Sequence, residues 1–157
     1  MTTGTIIALV GAALATILAG IGSAYGVRIT GQATAGVCAE KPELFGKLLV
    51  IEALPGTQGI YGFLTSVLIM LRIGLLGGSP AELTLAQGWS FFAAAMPVTI
   101  VGIISAIYQG KTAVSAIHMA AKDPSTSAKG ITMAAMVETY AILSLLVSVL
   151  LLFGIPV

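Results

Sequence analysis

The chain has 157 residues, of which 57% are hydrophobic and only 8% charged, with a net charge of +1. A soluble domain of this size needs charge on roughly a quarter to a third of its surface, and seven basic plus six acidic side chains cannot supply it. No basic run supports a nucleic-acid partner, and the single cysteine, Cys38, rules out an intrachain disulfide and gives redox chemistry no support.

The apolar residues gather in four blocks, at 4–27, 53–71, 86–110 and 130–153. Each is close to the roughly 20 residues that cross about 30 Å of hydrocarbon as a helix. The first block lacks the basic leader and cleavage site of a signal peptide and is too long to be one, so it reads as a mature helix. The expected fold is all-α, with four transmembrane helices and no cofactor. Lys41 and Lys47 follow the first span, and Lys122 and Lys129 follow the third, whereas the other side offers Arg72 and Glu82. The positive-inside rule then makes segments 38–47 and 121–129 cytoplasmic loops, with both termini outside a cell membrane. Trp89, at the start of the third span, fits an interfacial anchor on the outer side.

A shift of 82 residues lays the second half on the first. Gly20 and Ile21 fall on Gly102 and Ile103, Ser23 and Ala24 on Ser105 and Ala106, and Thr30 on Thr112. Pro42 meets Pro124, Lys47 meets Lys129, Thr57 meets Thr139, and Ser66 to Leu68 meet Ser148 to Leu150. The register is ungapped. The chain therefore reads as one membrane domain made of two parallel copies of a helical hairpin, 1–78 and 79–157. The copies differ where chemistry is concentrated: Glu138 stands opposite Gly56, Gln58 opposite Tyr140, and Gln109 opposite Val27.

The first span carries small residues three or four apart at Gly11, Ala15, Ala19, Gly22 and Gly26, and the third repeats the theme with Gly102, Ser105 or Ala106, and Gly110. Small faces let helix backbones approach closely in lipid. The first and third spans are expected to form an inner layer, with the second and fourth outside. Ordinary packing within a monomeric bundle is the plainer alternative.

Glu138 lies nine residues after Lys129, about 14 Å along a helix, and fifteen before Phe153, about 22 Å. A carboxyl at that depth is costly, which makes it a functional candidate by default. With the paired loop prolines as a ruler, Thr57, Gln58 and Gln109 fall at the same level as Glu138. Pro55 removes a backbone donor and loosens its helix, which can turn the Leu54 carbonyl toward a ligand. Tyr61 lies one turn from Thr57 and Gln58 and is placed to donate to the carboxylate. Proton carriage needs only a tuned carboxyl, whereas a dehydrated hard cation needs several oxygens. Two amides and a hydroxyl supply neutral ones, so the inventory favours a monovalent cation over interhelical hydrogen bonding alone. Glu52 is either a second titrating group or a carboxyl near the cytoplasmic interface. Arg28 and Lys111 either mark that interface or snorkel to it, and His118 is expected to be exposed.

At this point the residues resemble a known family. The run Leu54-Pro55-Gly56-Thr57-Gln58-Gly59-Ile60-Tyr61-Gly62 resembles the second-helix motif of the sixteen-kilodalton proteolipids of V-type ATPases. Met136-Val137-Glu138-Thr139-Tyr140 resembles their fourth-helix carboxyl motif, and Gln109-Gly110-Lys111 their third-helix motif. The likeness runs through the whole chain and is strongest to the K subunits of bacterial sodium-translocating V-type ATPases. It implies a ring of identical subunits in lipid that turns against a static membrane subunit with half-channels. Central-stalk subunits link such a ring to a soluble ATP-hydrolysing head, so the chain itself is not an enzyme. It also implies that Na+ is held by the Leu54 carbonyl, Thr57, Gln58, Gln109 and Glu138, with Tyr61 supporting the carboxylate. Glu52 departs from the family pattern, in which an uncharged polar residue stands there. A proton-carrying ring, a small four-helix secondary transporter and a purely structural or fusogenic hairpin protein are the rival readings.

Overall fold

The computed structural model describes residues 1–157 and is built of helices and turns. The α-helices are α1 (Thr3–Glu40), α2 (Phe45–Ala53), α3 (Thr57–Arg72), α4 (Leu85–Lys122) and α5 (Ser127–Gly154). A 3₁₀ turn, Leu54–Gly56, joins α2 to α3 within a single crossing, so the chain supplies four crossings. Pro55 explains the break: without an N–H it cannot continue the α-helical ladder.

The helices outrun the apolar blocks. Nothing between Arg28 and Glu40 stops a helix until Pro42, so α1 continues well past the apolar stretch. With 38 residues each, α1 and α4 are about 57 Å long, nearly twice the hydrocarbon thickness. The expected loops at 38–47 and 121–129 are corrected to tight corners. Only Lys41 and Asp123 lie outside helical structure there, and each is followed by a proline that opens a 3₁₀ turn into the next helix. Lys41 Nζ donates to the Ala121 carbonyl at 2.7 Å and ties the two corners together. The longer connection at the other end turns back through Gly74 and Gly78, both at positive φ (72° and 76°), a conformation that glycine adopts without steric cost.

The small-residue stripes meet face to face. A Cβ added to Gly22 would lie 2.6 Å from the Ile103 Cα, and one added to Gly110 would lie 2.7 Å from the Gly26 Cα. That spacing leaves room for glycine alone, so α1 and α4 pack backbone against backbone, as small-residue faces do in lipid. The α2–α3 crossing lies mainly on α1, and α5 lies mainly on α4. Phe63, Leu143 and Leu150 turn outward from these two crossings and are more than half exposed. An apolar exterior of this kind suits lipid rather than water.

The duplication is visible in the contacts. Thr16 Oγ1 and Ser66 Oγ are 2.7 Å apart, and the same two positions in the second copy bring the Val98 N–H to Ser148 Oγ at 3.2 Å. Serines also accept from backbone donors near two prolines, Pro97 inside the unbroken α4 and Pro55 at the 3₁₀ turn. The Val98 N–H, one residue past Pro97, uses Ser148, and the Gly59 N–H, four residues past Pro55, donates to Ser23 Oγ at 2.7 Å. Satisfying each donor internally is what a dehydrated surrounding requires.

Candidate functional site

The site begins at the Pro55 break. In the turn Leu54–Gly56 the Leu54 carbonyl accepts both the Thr57 N–H and the Thr57 hydroxyl, the latter at 3.0 Å. The next residue, Gln58, is fully buried between the crossings. Its Nε2 donates to Gln109 Oε1 at 2.5 Å and to Ser105 Oγ at 3.2 Å. Gln109, also fully buried, donates onward from Nε2 to Glu138 Oε2 at 3.2 Å. Tyr61 is one turn after Gln58 on the same face of α3, and its hydroxyl donates to Glu138 Oε1 at 2.5 Å. A continuous polar chain therefore runs from α3 through α4 to the carboxyl on α5.

All six positions singled out in the sequence lie in this chain or at its Leu54 end. The network has a further member, Ser105, which in the sequence stands out only as a small residue of the α4 stripe. Besides accepting from Gln58, its hydroxyl donates to the Val137 carbonyl at 3.1 Å, bracing the backbone beside Glu138. Its spacing, four residues before Gln109, is the signal that it shares that residue's face. Thr139, the repeat mate of Thr57, is exposed and donates to its own Met136 carbonyl at 2.7 Å, so it takes no part.

Glu138 sits at the edge of the protomer. It is half-buried, while Met136 and Tyr140 on either side are 66% and 67% exposed. The carboxyl thus has a buried polar side, furnished by Gln109 and Tyr61, and an outward side. Gln58 Oε1, Thr57 Oγ1 and both Glu138 oxygens keep lone pairs beyond those used in the network, and the Leu54 carbonyl frees one when the Thr57 hydroxyl rotates away. These are hard oxygen donors with a single formal negative charge among them, which suits a monovalent hard cation. Glu52 lies apart on α2, against Gly31 of α1. Arg28, Lys111 and His118 are exposed, and the Lys111 ammonium lies 5.4 Å from the centre of the Tyr108 ring.

The family model that describes the ATP synthase C subunit matches residues 10–69 and again 92–151, two copies separated by the same shift of 82 that aligns the halves. The chain belongs to the ATP synthase C-subunit family. Its first copy contains Leu54, Thr57, Gln58 and Tyr61, and its second contains Gln109 and Glu138. The proteolipid is 44% identical over 151 residues to the V-type sodium ATPase subunit K of Enterococcus hirae, covering 96% of this chain and 93% of that one. It is 41% identical to the A-type ATP synthase subunit K of Methanocaldococcus jannaschii, over 96% of this chain and 63% of that one. It is 27% identical to the 16 kDa proteolipid of the V-type proton ATPase of Nephrops norvegicus, over 91% and 87% of the two chains. The proteolipid is accordingly a multi-pass membrane subunit of the V/A-type ATPase rotor family, built as a duplicated hairpin.

Proposed function

We propose that this proteolipid binds Na+ at Glu138 and carries it across the membrane in a rotating ring of identical copies. Glu138 supplies the charge. Gln109, Gln58, Thr57 and the Leu54 carbonyl supply neutral oxygens, and Tyr61 holds the carboxylate in place. The observation that carries this reading is the convergence of two fully buried amides on one half-buried carboxyl. A proton carrier has no need of the Gln58 amide or the turn at Leu54, whereas a dehydrated cation needs several oxygens around it.

In the proposed cycle Glu138 is ion-loaded and neutral while its outward side faces lipid, where a bare charge is costly. At the static membrane subunit a fixed cation takes the carboxylate as counter-charge, and the Na+ leaves through a half-channel. ATP hydrolysis in the soluble head drives the ring through the central stalk, so the proteolipid performs no catalysis itself. The lysine corners at Lys41 and Lys122 face the cytoplasm and the stalk, and both termini lie outside, following the positive-inside rule. The sequence division into hairpins 1–78 and 79–157 makes each protomer one unit of two unequal halves, with only the second bearing the carboxyl.

Carbodiimide labelling of Glu138 in membranes tests the ion. The reagent attacks the protonated carboxyl, so a bound cation protects it. Protection by sodium but not by potassium or choline, at fixed pH and ionic strength, is the expected result. Rapid labelling indifferent to sodium would replace this reading with a proton-carrying ring.

A further inference from the structure

Glu52 plays no part in the site above, yet it is half-buried in the seam between α1 and α2. Its backbone carbonyl lies 3.1 Å from the Thr30 hydroxyl, which also reaches the Gly26 and Val27 carbonyls of its own helix at 3.0 and 2.9 Å, so α2 packs closely on α1 here. Its carboxylate lies over Gly31, where an added Cβ would stand 3.2 Å from Oε1. Glycine at this position lets the carboxylate approach the α1 backbone closely.

A second observation comes from Thr34. This residue is 3% exposed, and its hydroxyl has no hydrogen-bond partner. A helical threonine can satisfy its hydroxyl by rotating onto the carbonyl four residues back. Thr65, Thr99, Thr112 and Thr132 all do so in this protein, at 2.7 to 3.0 Å. The Thr34 hydroxyl does not do so and stays buried and unpaired. At about 100° per residue, Thr34 projects about 40° from Thr30 and about 60° from Gly31. It therefore lies on the α1 face between the two residues that touch Glu52, one turn nearer Lys41. Side chains tilt toward the N-terminus of their own helix, which in α2 carries the Glu52 carboxylate in the same direction.

We propose that Glu52 and Thr34 form a second monovalent-cation site, weaker than that at Glu138, in the α1–α2 seam. A single carboxylate balances one positive charge. Carboxylate, hydroxyl and water oxygens are the donors that sodium-like hard ions accept, and the half-exposed position admits the water. With fewer protein oxygens than the Glu138 layer, this site holds its ion less tightly. Leu54 is only two residues further along the chain, so the second ion lies next to the proposed transport layer, on the side of the corners.

The test is equilibrium binding of sodium-22 to purified rings of the full chain, titrated to high sodium. Rings of Glu138→Gln are expected to keep a low-affinity equivalent of sodium that the double variant Glu138→Gln/Glu52→Gln loses, and that adding Thr34→Val to Glu138→Gln weakens. In otherwise native rings, Glu52→Gln should remove the low-affinity phase and leave the high-affinity one, which covers the case where Glu138→Gln rings do not assemble. Identical binding by Glu138→Gln and the double variant, or a native titration unchanged by Glu52→Gln, overturns the proposal; in that case exposed Arg28 on α1 is the first candidate for the counter-charge. Retention of the high-affinity phase by Glu138→Gln rings would count against the Glu138 reading and not against this one.

Discussion

The Tyr61 hydroxyl donates to Glu138 Oε1 at 2.5 Å, so the first hairpin holds the carboxyl that the second hairpin carries. Gln109 meets the other oxygen from α4. A hydrogen bond to a charged group contributes about 1.5–3 kcal/mol, and the half-exposed setting of Glu138 argues for the lower end. Tyr61→Phe should therefore weaken sodium binding about tenfold without dissolving the ring. The sodium concentration that half-protects Glu138 from carbodiimide measures this, and unchanged protection would show that Tyr61 does not position the carboxylate.

Glu138→Gln removes the only formal charge of the proposed layer and keeps its shape. Rings should still assemble, because the glycine contacts of α1 and α4 are untouched. Sodium uptake by vesicles containing the intact complex should fall to the level of empty vesicles. Transport at native rates would end the ion-carrier reading.

Gly62 faces α1 so closely that an added Cβ would run into the Ala15 carbonyl, a backbone atom that cannot move aside cheaply. Gly20 has nothing within 4 Å of the same point. Gly62→Ala should destabilise the protomer by about 1–3 kcal/mol, as overpacking does, whereas Gly20→Ala should be neutral. Thermal melting of the two variants in one detergent separates them, and equal melting points would mean that the α1–α3 contact is looser than described.

Much of this architecture is legible in the sequence, for physical reasons. Hydropathy reveals the crossings because lipid imposes it, and the shift of 82 reveals the repeat because Pro42 and Pro124 open equivalent corners. Pro55 foretells a break because its missing N–H is a local property. Hydropathy cannot foretell how far α1 continues, since the stretch from Arg28 to Glu40 is helical but polar. Ser105 is hidden for another reason. A serine on a small-residue face serves packing or hydrogen bonding according to which atoms lie across the helix boundary, and only the fold places Gln58 and the Val137 carbonyl there.

Asp123 caps the corner before α5 by accepting the Ser125 N–H at 2.9 Å. Hydrogen bonding from the Ser125 side chain first, and from this N–H second, holds its pKa below the ordinary aspartate value. A depressed carboxyl contributes stability above its unfolded pKa and loses it as pH falls through the folded one, so the cap should be fully formed at neutral pH. NMR titration of the Asp123 carboxyl should give a midpoint below that of an unstructured peptide carrying the same sequence. A midpoint at or above the peptide's would show that the cap is not formed.

The pairing of Gly56 with Glu138 across the repeat has a mechanical consequence. In the proposed ring a full turn sweeps past as many helical hairpins as an unduplicated ring of equal girth, yet it moves half as many ions. Each ATP spent on rotation then acts on fewer passengers, and each passenger receives a larger share of the work. A protomer geared in this way gives up throughput for lift, which suits a machine that must push sodium up a steep gradient.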